Sequence, residues 1–168
     1  MNTWMRRLLD TAALLLMGLG TLWGFGLLGN PVEQTAGGAF SADATLLAPA
    51  TPAFSIWSVI YLLLVAYVVW LWTPAGGASE RARSLGWLPA ASILLNGAWL
   101  GITQAGWLWL SVLDIALLAV VLGLVMKRLA GRAASGPAEA IMLDGTFGLY
   151  LGWVAVATCA NITAAAVA

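Results

Sequence analysis

The residues of this sequence that could bind or transform a ligand are aromatic and polar side chains inside apolar stretches. Ten tryptophans occur among 168 residues, of which 62% are hydrophobic and 8% charged. Histidine is absent, and the single cysteine, Cys159, lies in an apolar run. A His and Cys metal cluster and a disulfide framework are therefore excluded. We assign no catalytic or metal-binding residue and expect no cofactor requirement and no nucleic-acid partner.

Four polar side chains lie at one depth in these stretches. Counting inward at about 1.5 Å per residue, we find Tyr61, Asn96, Asp114 and Thr158 roughly eight residues from the same end of their stretches. A carboxyl at that depth is costly and marks a functional position or a hydrogen-bonded structural group. Asn96, like Asn161 further along the chain, could instead join helices to one another.

The tryptophans divide by depth into two groups. Three lie within the outer half of their stretches, Trp23, Trp57 and Trp99, and Trp153 lies near the middle of its stretch. Together with the polar level they predict a cavity with aromatic walls, which suits a flat, largely apolar ligand. Packing of the helices is the alternative explanation for the same rings. The other six lie at the ends of stretches, where tryptophan anchors helices at a membrane surface: Trp4, Trp70, Trp72, Trp87, Trp107 and Trp109.

The elements that position these residues are apolar segments of about 20 residues, the length that crosses a bilayer. We predict an all-α polytopic membrane protein, a five-transmembrane-helix bundle forming a single membrane domain over residues 1–168. All Lys and Arg residues lie on one side of these spans, which predicts a cytoplasmic N-terminus. The spans lie near residues 8–28, 54–72, 84–103, 107–126 and 140–167.

The first connection, over about residues 29–53, is unusually long. It contains Val32, Phe40, Leu46 and Leu47. We predict that this external loop packs back onto the bundle as a lid, with a floppy linker as the alternative.

Two small-residue motifs permit close helix approach. Gly20-x-x-x-Gly24 lies in the first span and Gly97-x-x-x-Gly101 in the third. Such spacing serves contacts within a bundle or between two copies. A homodimer through Gly97 and Gly101 is therefore one prediction, besides contact with the lipid bilayer.

Three strings in order resemble the tryptophan-rich sensory protein or translocator protein family (TspO/MBR, relatives of the peripheral-type benzodiazepine receptor), nearer a divergent bacterial branch. They match its second, third and fifth helices. The strings are Trp57-Ser58-Val59-Ile60-Tyr61, then Asn96-Gly97-Ala98-Trp99, then Tyr150-Leu151-Gly152-Trp153 continuing to Thr158 and Asn161.

The resemblance implies a five-helix bundle, usually dimeric, in a bacterial cell membrane. It further implies binding of tetrapyrroles such as protoporphyrin IX in a pocket closed by the first loop. The pocket roles that it carries over fall on Trp57, Tyr61, Asn96, Trp99, Trp153, Thr158 and Asn161.

The leading hypothesis is a receptor or carrier for a planar hydrophobic small molecule, with Trp23 and Asp114 added to the pocket residues by their depth. The resemblance also implies an enzyme alternative, light-dependent porphyrin breakdown. Ordinary acid–base catalysis is not expected, because Asp114 has no evident catalytic partner in the sequence. A structural or scaffolding membrane protein is the third hypothesis.

Overall fold

The structure is a computed structural model that describes residues 2–24 and 32–168, without the side chains of residues 23, 24 and 33. The described part is helical and contains no strand. Short 3₁₀ turns at Val32–Gln34, Ala36–Gly38 and Thr51–Ser55 interrupt the long loop, and a π-helical segment, Ala140–Gly145, precedes the last helix. The α-helices are α1 (Thr3–Gly24), α2 (Ile56–Trp72), α3 (Pro74–Ala78), α4 (Glu80–Leu85), α5 (Leu88–Gln104), α6 (Leu108–Ala130), α7 (Pro137–Glu139) and α8 (Thr146–Val167).

Three helical segments in the described ranges are long and apolar enough to cross a bilayer: Thr51–Trp72, Leu108–Ala130 and Pro137–Val167. Helix α5 has 17 residues, which is short for a crossing. Helix α1 has 22 residues but carries Arg6, Arg7 and Asp10 in its first half, and residues 25–28 of its predicted span lie outside the described part. The count of five crossings stays a prediction.

The five long helices form a closed ring. Helix α5 packs between α1 and α6, α6 packs against α8, and α2 contacts both α8 and α1. The loop of residues 32–55 lies at one end of this ring, here called the loop end. The opposite end, where α2 stops and α5 starts, is here called the basic end.

Polar residues of the long helices face the interior of the bundle, and many of the leucines that do not form its core face outward. On α6, Ser111 and Asp114 are buried, whereas Leu113 and Leu117 are 66% and 50% exposed. The same helix places Ile115, Leu118 and Leu122 inside at three- and four-residue spacing, the signature of one helix face. This arrangement would be unfavourable in water and suits a lipid environment, in which the outer leucines contact acyl chains.

The third predicted span begins later than expected. We predicted it from residue 84, but α4 ends at Leu85 and α5 starts at Leu88. Gly86 between them has a φ of 65°, a left-handed conformation that glycine adopts without strain. Pro89 then lies in the first turn of α5, where its missing N–H costs nothing.

The basic end is tied together by Arg81. Its guanidinium donates to both carboxylate oxygens of Asp144, at 2.9 and 2.7 Å, and to the Leu129 carbonyl at 3.1 Å. A carboxylate oxygen of Glu139 lies 3.9 Å from the Arg81 guanidinium, and the other accepts a hydrogen bond from the Ser79 hydroxyl at 2.5 Å. The hydrogen bonds to Asp144 raise the pKa of Arg81, which keeps it charged. One side chain thus joins α4, the end of α6 and the π-helical segment.

Small residues bring α1 and α5 together inside the bundle. A Cβ atom added to Gly97 would lie 3.2 Å from the Met17 Cα, and one added to Gly20 would lie 3.4 Å from the Gly97 carbonyl oxygen. Gly97 is therefore occupied by an intrachain contact, whereas nothing lies within 4 Å of a Cβ added to Gly101. A homodimer through both glycines would have to share Gly97 with α1.

Candidate functional site

Aromatic rings from three helices cluster at the loop end around Trp57. Its ring stacks against Trp99 of α5 at a centroid distance of 6.3 Å with 28° between the planes. Trp153 of α8 meets Trp57 edge to face at 6.2 Å and 89°. Tyr61, one turn along α2, and Tyr150 of α8 lie 5.5 and 6.3 Å from the same ring. Trp57 and Trp99 are buried.

The six tryptophans expected at the membrane surface are placed differently from this cluster. Trp70 is partly buried against the core. The other five are between 42% and 66% exposed, as surface anchors would be: Trp4, Trp72, Trp87, Trp107 and Trp109. The described tryptophans therefore separate into an outer group and an inner group. The Trp23 side chain lies outside the described part.

The long loop covers the cluster with two aromatic residues. Phe40 is buried and meets Trp99 edge to face at 5.9 Å, and Phe54 meets Trp153 at 6.3 Å. The hydroxyls of Thr45 and Thr163 lie 3.3 Å apart, joining the loop to α8. In the described ranges, the loop lies against the bundle through aromatic contacts of Phe40 and Phe54, packing of small apolar residues and the hydrogen bond between Thr45 and Thr163.

The apolar residues of the loop differ in burial. Phe40 and Val32 pack against the core. Leu46 and Leu47 are exposed instead, so only part of the apolar content of the loop covers the bundle. Residues 29–31 of the predicted loop lie outside the described part.

A pocket lies between the loop and the aromatic cluster. Its free space is about 30 Å³, enough for about two water molecules. Sites for drug-sized ligands hold roughly 300–1,000 Å³, so such a ligand would have to displace the loop or the rings. The lining residues are Ala39, Phe40, Thr45, Ala48, Pro49, Phe54, Trp57, Trp99, Trp153, Ala157, Ala160, Asn161 and Ala164.

Asn161 holds the wall of the pocket in place. Its carbonyl oxygen accepts a hydrogen bond from the Trp99 indole at 2.9 Å, and its amide donates to the Ser111 hydroxyl at 2.8 Å. Ser111 in turn donates to the Leu108 carbonyl at 2.7 Å. The chain of bonds joins α5, α8 and α6 and fixes the orientation of the Trp99 ring. Sequence reasoning missed Ser111, although it lies three residues before Asp114 on the same helix face.

A polar level lies beneath the aromatic cluster. Tyr61 lies beside Asn96, and Tyr150 lies near both Tyr61 and Asp114. Tyr150 donates to the Ser92 carbonyl at 3.1 Å. Three of the four residues predicted at one depth are thus neighbours in the structure.

Some buried polar atoms here have no hydrogen-bond partner among the described residues. They are Oδ2 of Asp114, the indole nitrogen of Trp153 and the amide atoms of Asn96, although the Asn96 amide also lies close enough to the Tyr61 hydroxyl to interact with it. Buried polar groups are normally paired, so these atoms are open to a ligand or to ordered water. All of them lie in or directly below the pocket.

Thr158 does not join the site. Its hydroxyl donates to the Val154 carbonyl of its own helix at 2.7 Å, and it does not line the pocket, although Ala157 and Asn161 on either side do. The structure therefore brings together Trp57, Trp99, Trp153 and Asn161 at the pocket wall, places Tyr61, Asn96 and Asp114 below it, and leaves Thr158 out.

The pocket contains no basic residue. All seven Lys and Arg side chains belong to the basic end or the connections near it, and none lines the pocket. In the described ranges, no group of three or more His, Cys, Asp or Glu residues could hold a metal ion. The site can therefore offer ring stacking, a few hydrogen bonds and one carboxyl.

Exposed leucines on the outer helix faces, buried polar residues inside and long apolar helical segments define a helical membrane protein. A family model described as TSPO-like protein matches residues 11–168, and the chain belongs to this TSPO-like family. The resemblance read from the sequence is confirmed, and the family indicates a membrane ligand-binding protein. Neither a curated protein nor a solved structure matches the chain.

Proposed function

We propose that this protein is a membrane receptor or carrier that binds a planar hydrophobic small molecule in the pocket under residues 32–55. A tetrapyrrole such as protoporphyrin IX is the first candidate. The observation that carries the proposal is the grouping of Trp57, Trp99 and Trp153, from three different helices, around one enclosed space.

The ligand would bind by inserting among these rings. Trp57 and Trp99 already stack on one another, and a flat molecule between or beside them would gain the same ring contacts. Aromatic pairs contribute about 0.5–1.5 kcal/mol each beyond the area they bury. The open polar atoms of Asn96 and Trp153 would bond the polar edge of the ligand.

Entry would require the loop to open. The free space of about 30 Å³ is smaller than any tetrapyrrole, and Phe40 occupies the space against Trp99. Because Phe40 and Phe54 of the loop lie over the rings, displacement of the loop would enlarge the pocket while the helices stay in place. Lid opening of this kind controls access in many binding proteins.

Protoporphyrin IX titration tests the proposal, with the purified protein held in a neutral maltoside detergent and the dissociation constant taken from quenching of tryptophan fluorescence. In a Trp57→Ala, Trp153→Ala double variant, the loss of two ring contacts should weaken binding about 10- to 100-fold, since each tenfold corresponds to about 1.4 kcal/mol.

The matched control is a Trp107→Ala, Trp109→Ala double variant. It removes the same number of indoles, but from exposed positions outside the pocket. Its dissociation constant should equal that of the unaltered protein. Equal affinity of all three proteins would place the ligand on the outer surface or in the detergent and would refute the site.

A further inference from the structure

The charge of the site restricts which ligands fit it. The seven basic residues of the chain are all remote from the pocket, and the sequence has no histidine. The ionisable residue nearest to the pocket floor is an acid, Asp114. A ligand that brings a carboxylate to this floor would therefore meet a second carboxyl and no cation to pair with.

Asp114 shares a face of α6 with Ser111, which bonds a residue of the pocket wall. Ser111, three residues earlier on α6, bonds the pocket residue Asn161. Residues three apart share a helix face and differ by about 4.5 Å along the axis. Tyr150, which contacts the ring of Trp57, also lies near Asp114. The carboxyl is thus about one helical turn below the pocket wall.

Asp114 is 8% exposed, and one of its two carboxyl oxygens, Oδ2, has no hydrogen-bond partner among the described residues. A buried carboxyl oxygen without a partner is costly, so a donor arriving with the ligand would lower its free energy.

We infer that the floor of this pocket selects ligands whose polar end is a hydrogen-bond donor or a positive charge, and disfavours ligands whose polar end is a carboxylate. The inference rests on the proposed function, since it specifies the ligand of the same pocket. A tetrapyrrole bound in this pocket would therefore direct its carboxylate side chains toward the loop end, away from Asp114, or would carry them as esters.

Three probes with the same tricyclic ring test the inference: 9-(aminomethyl)anthracene, 9-(hydroxymethyl)anthracene and anthracene-9-carboxylate. Energy transfer from tryptophan gives a dissociation constant for each probe at pH 7 in neutral detergent. The ammonium probe should bind about tenfold more tightly than the carboxylate, with the hydroxyl probe between them. The Trp57→Ala, Trp153→Ala variant supplies the baseline for partition into the micelle.

Asp114→Asn is the decisive variant because it keeps the shape of the side chain and removes its charge. Binding of the ammonium probe should weaken about tenfold, while the carboxylate probe should bind unchanged or more tightly. Asp114→Glu keeps the charge and should retain the preference for ammonium. Helix content and micelle elution volume check that each variant is folded.

The outcomes separate the inference from the proposed function. If all three probes bind in a manner that depends on Trp57 and Trp153, but with equal affinity or with the same order in Asp114→Asn, the pocket is a binding site and the charge selection is refuted. Tighter binding of the carboxylate would refute it as well. If no probe binds above the micelle baseline, the inference is refuted, while the proposed function is decided by the protoporphyrin IX titration.

Discussion

Replacing Asn161 by leucine should loosen the joint between three helices. The side chain is buried and bonds Trp99 on one side and Ser111 on the other. Leucine has the same branched shape and is larger than asparagine, so the change removes hydrogen bonds without leaving a cavity. Hydrogen bonds between membrane helices contribute about 0.6 kcal/mol on average and up to about 1.7. Losing two of them should lower the free energy of unfolding by about 1–3 kcal/mol.

The assay is reversible unfolding from mild micelles by titration with sodium dodecyl sulfate, followed by circular dichroism at 222 nm. Trp99→Phe keeps an aromatic ring but removes the pyrrole part that carries the N–H, so it loses one bond and leaves a small cavity. Because both changes break the same bond, the costs of Trp99→Phe and Asn161→Leu should be less than additive. Thr158→Val is the control, since Thr158 bonds only its own helix. If Asn161→Leu is no less stable than Thr158→Val, the bond network does not hold the helices together.

Three further changes probe other parts of the fold. Gly97→Val should lower the free energy of unfolding by about 1–3 kcal/mol, because the added side chain pushes α1 away. Gly101→Val, whose Cβ has no neighbour within 4 Å, should cost clearly less in the same titration. Equal costs would refute the close approach of α1 and α5. Arg81→Met leaves Asp144 without its ion-pair partner and should lower the free energy of unfolding by about 2 kcal/mol, a value reduced because that carboxylate is partly exposed. The affinity for a probe at the loop end should stay unchanged. A loss of affinity would contradict the separation of the two ends. Phe40→Ala removes the ring over Trp99 that blocks entry to the pocket. The association rate of an anthracene probe should therefore rise several-fold in stopped-flow fluorescence. An unchanged rate would show that Phe40 does not limit entry.

The inner tryptophans could be predicted from the sequence because two independent signals coincide on them. Trp57, Trp99 and Trp153 lie away from the ends of their apolar segments, and they also occur at the family spacing. Depth along a helix depends only on counting residues, so the neighbouring positions of Tyr61, Asn96 and Asp114 followed from the same arithmetic.

Directions around a helix and loop conformations could not be predicted in the same way. Thr158 lies at the expected depth, but its hydroxyl bonds the carbonyl four residues earlier in its own helix, an option that serine and threonine always have. The spacing of Gly97 and Gly101 does not say which neighbour they face, and the structure turns Gly97 toward α1. The apolar residues of the loop, Phe40 among them, predicted that it covers the bundle, but the segment has no periodicity, so nothing in the pattern distinguished Phe40 from the exposed Leu46 and Leu47 or indicated Phe54.

An experimental structure of the protein with a bound planar aromatic ligand would show directly whether the pocket under residues 32–55 is the binding site. We expect flat ligand density among Trp57 of α2, Trp99 of α5 and Trp153 of α8, with Phe40 displaced from its place over Trp99. Density confined to the lipid-facing surface or to the basic end, with the stack of Trp57 and Trp99 still closed under the loop, would contradict this expectation.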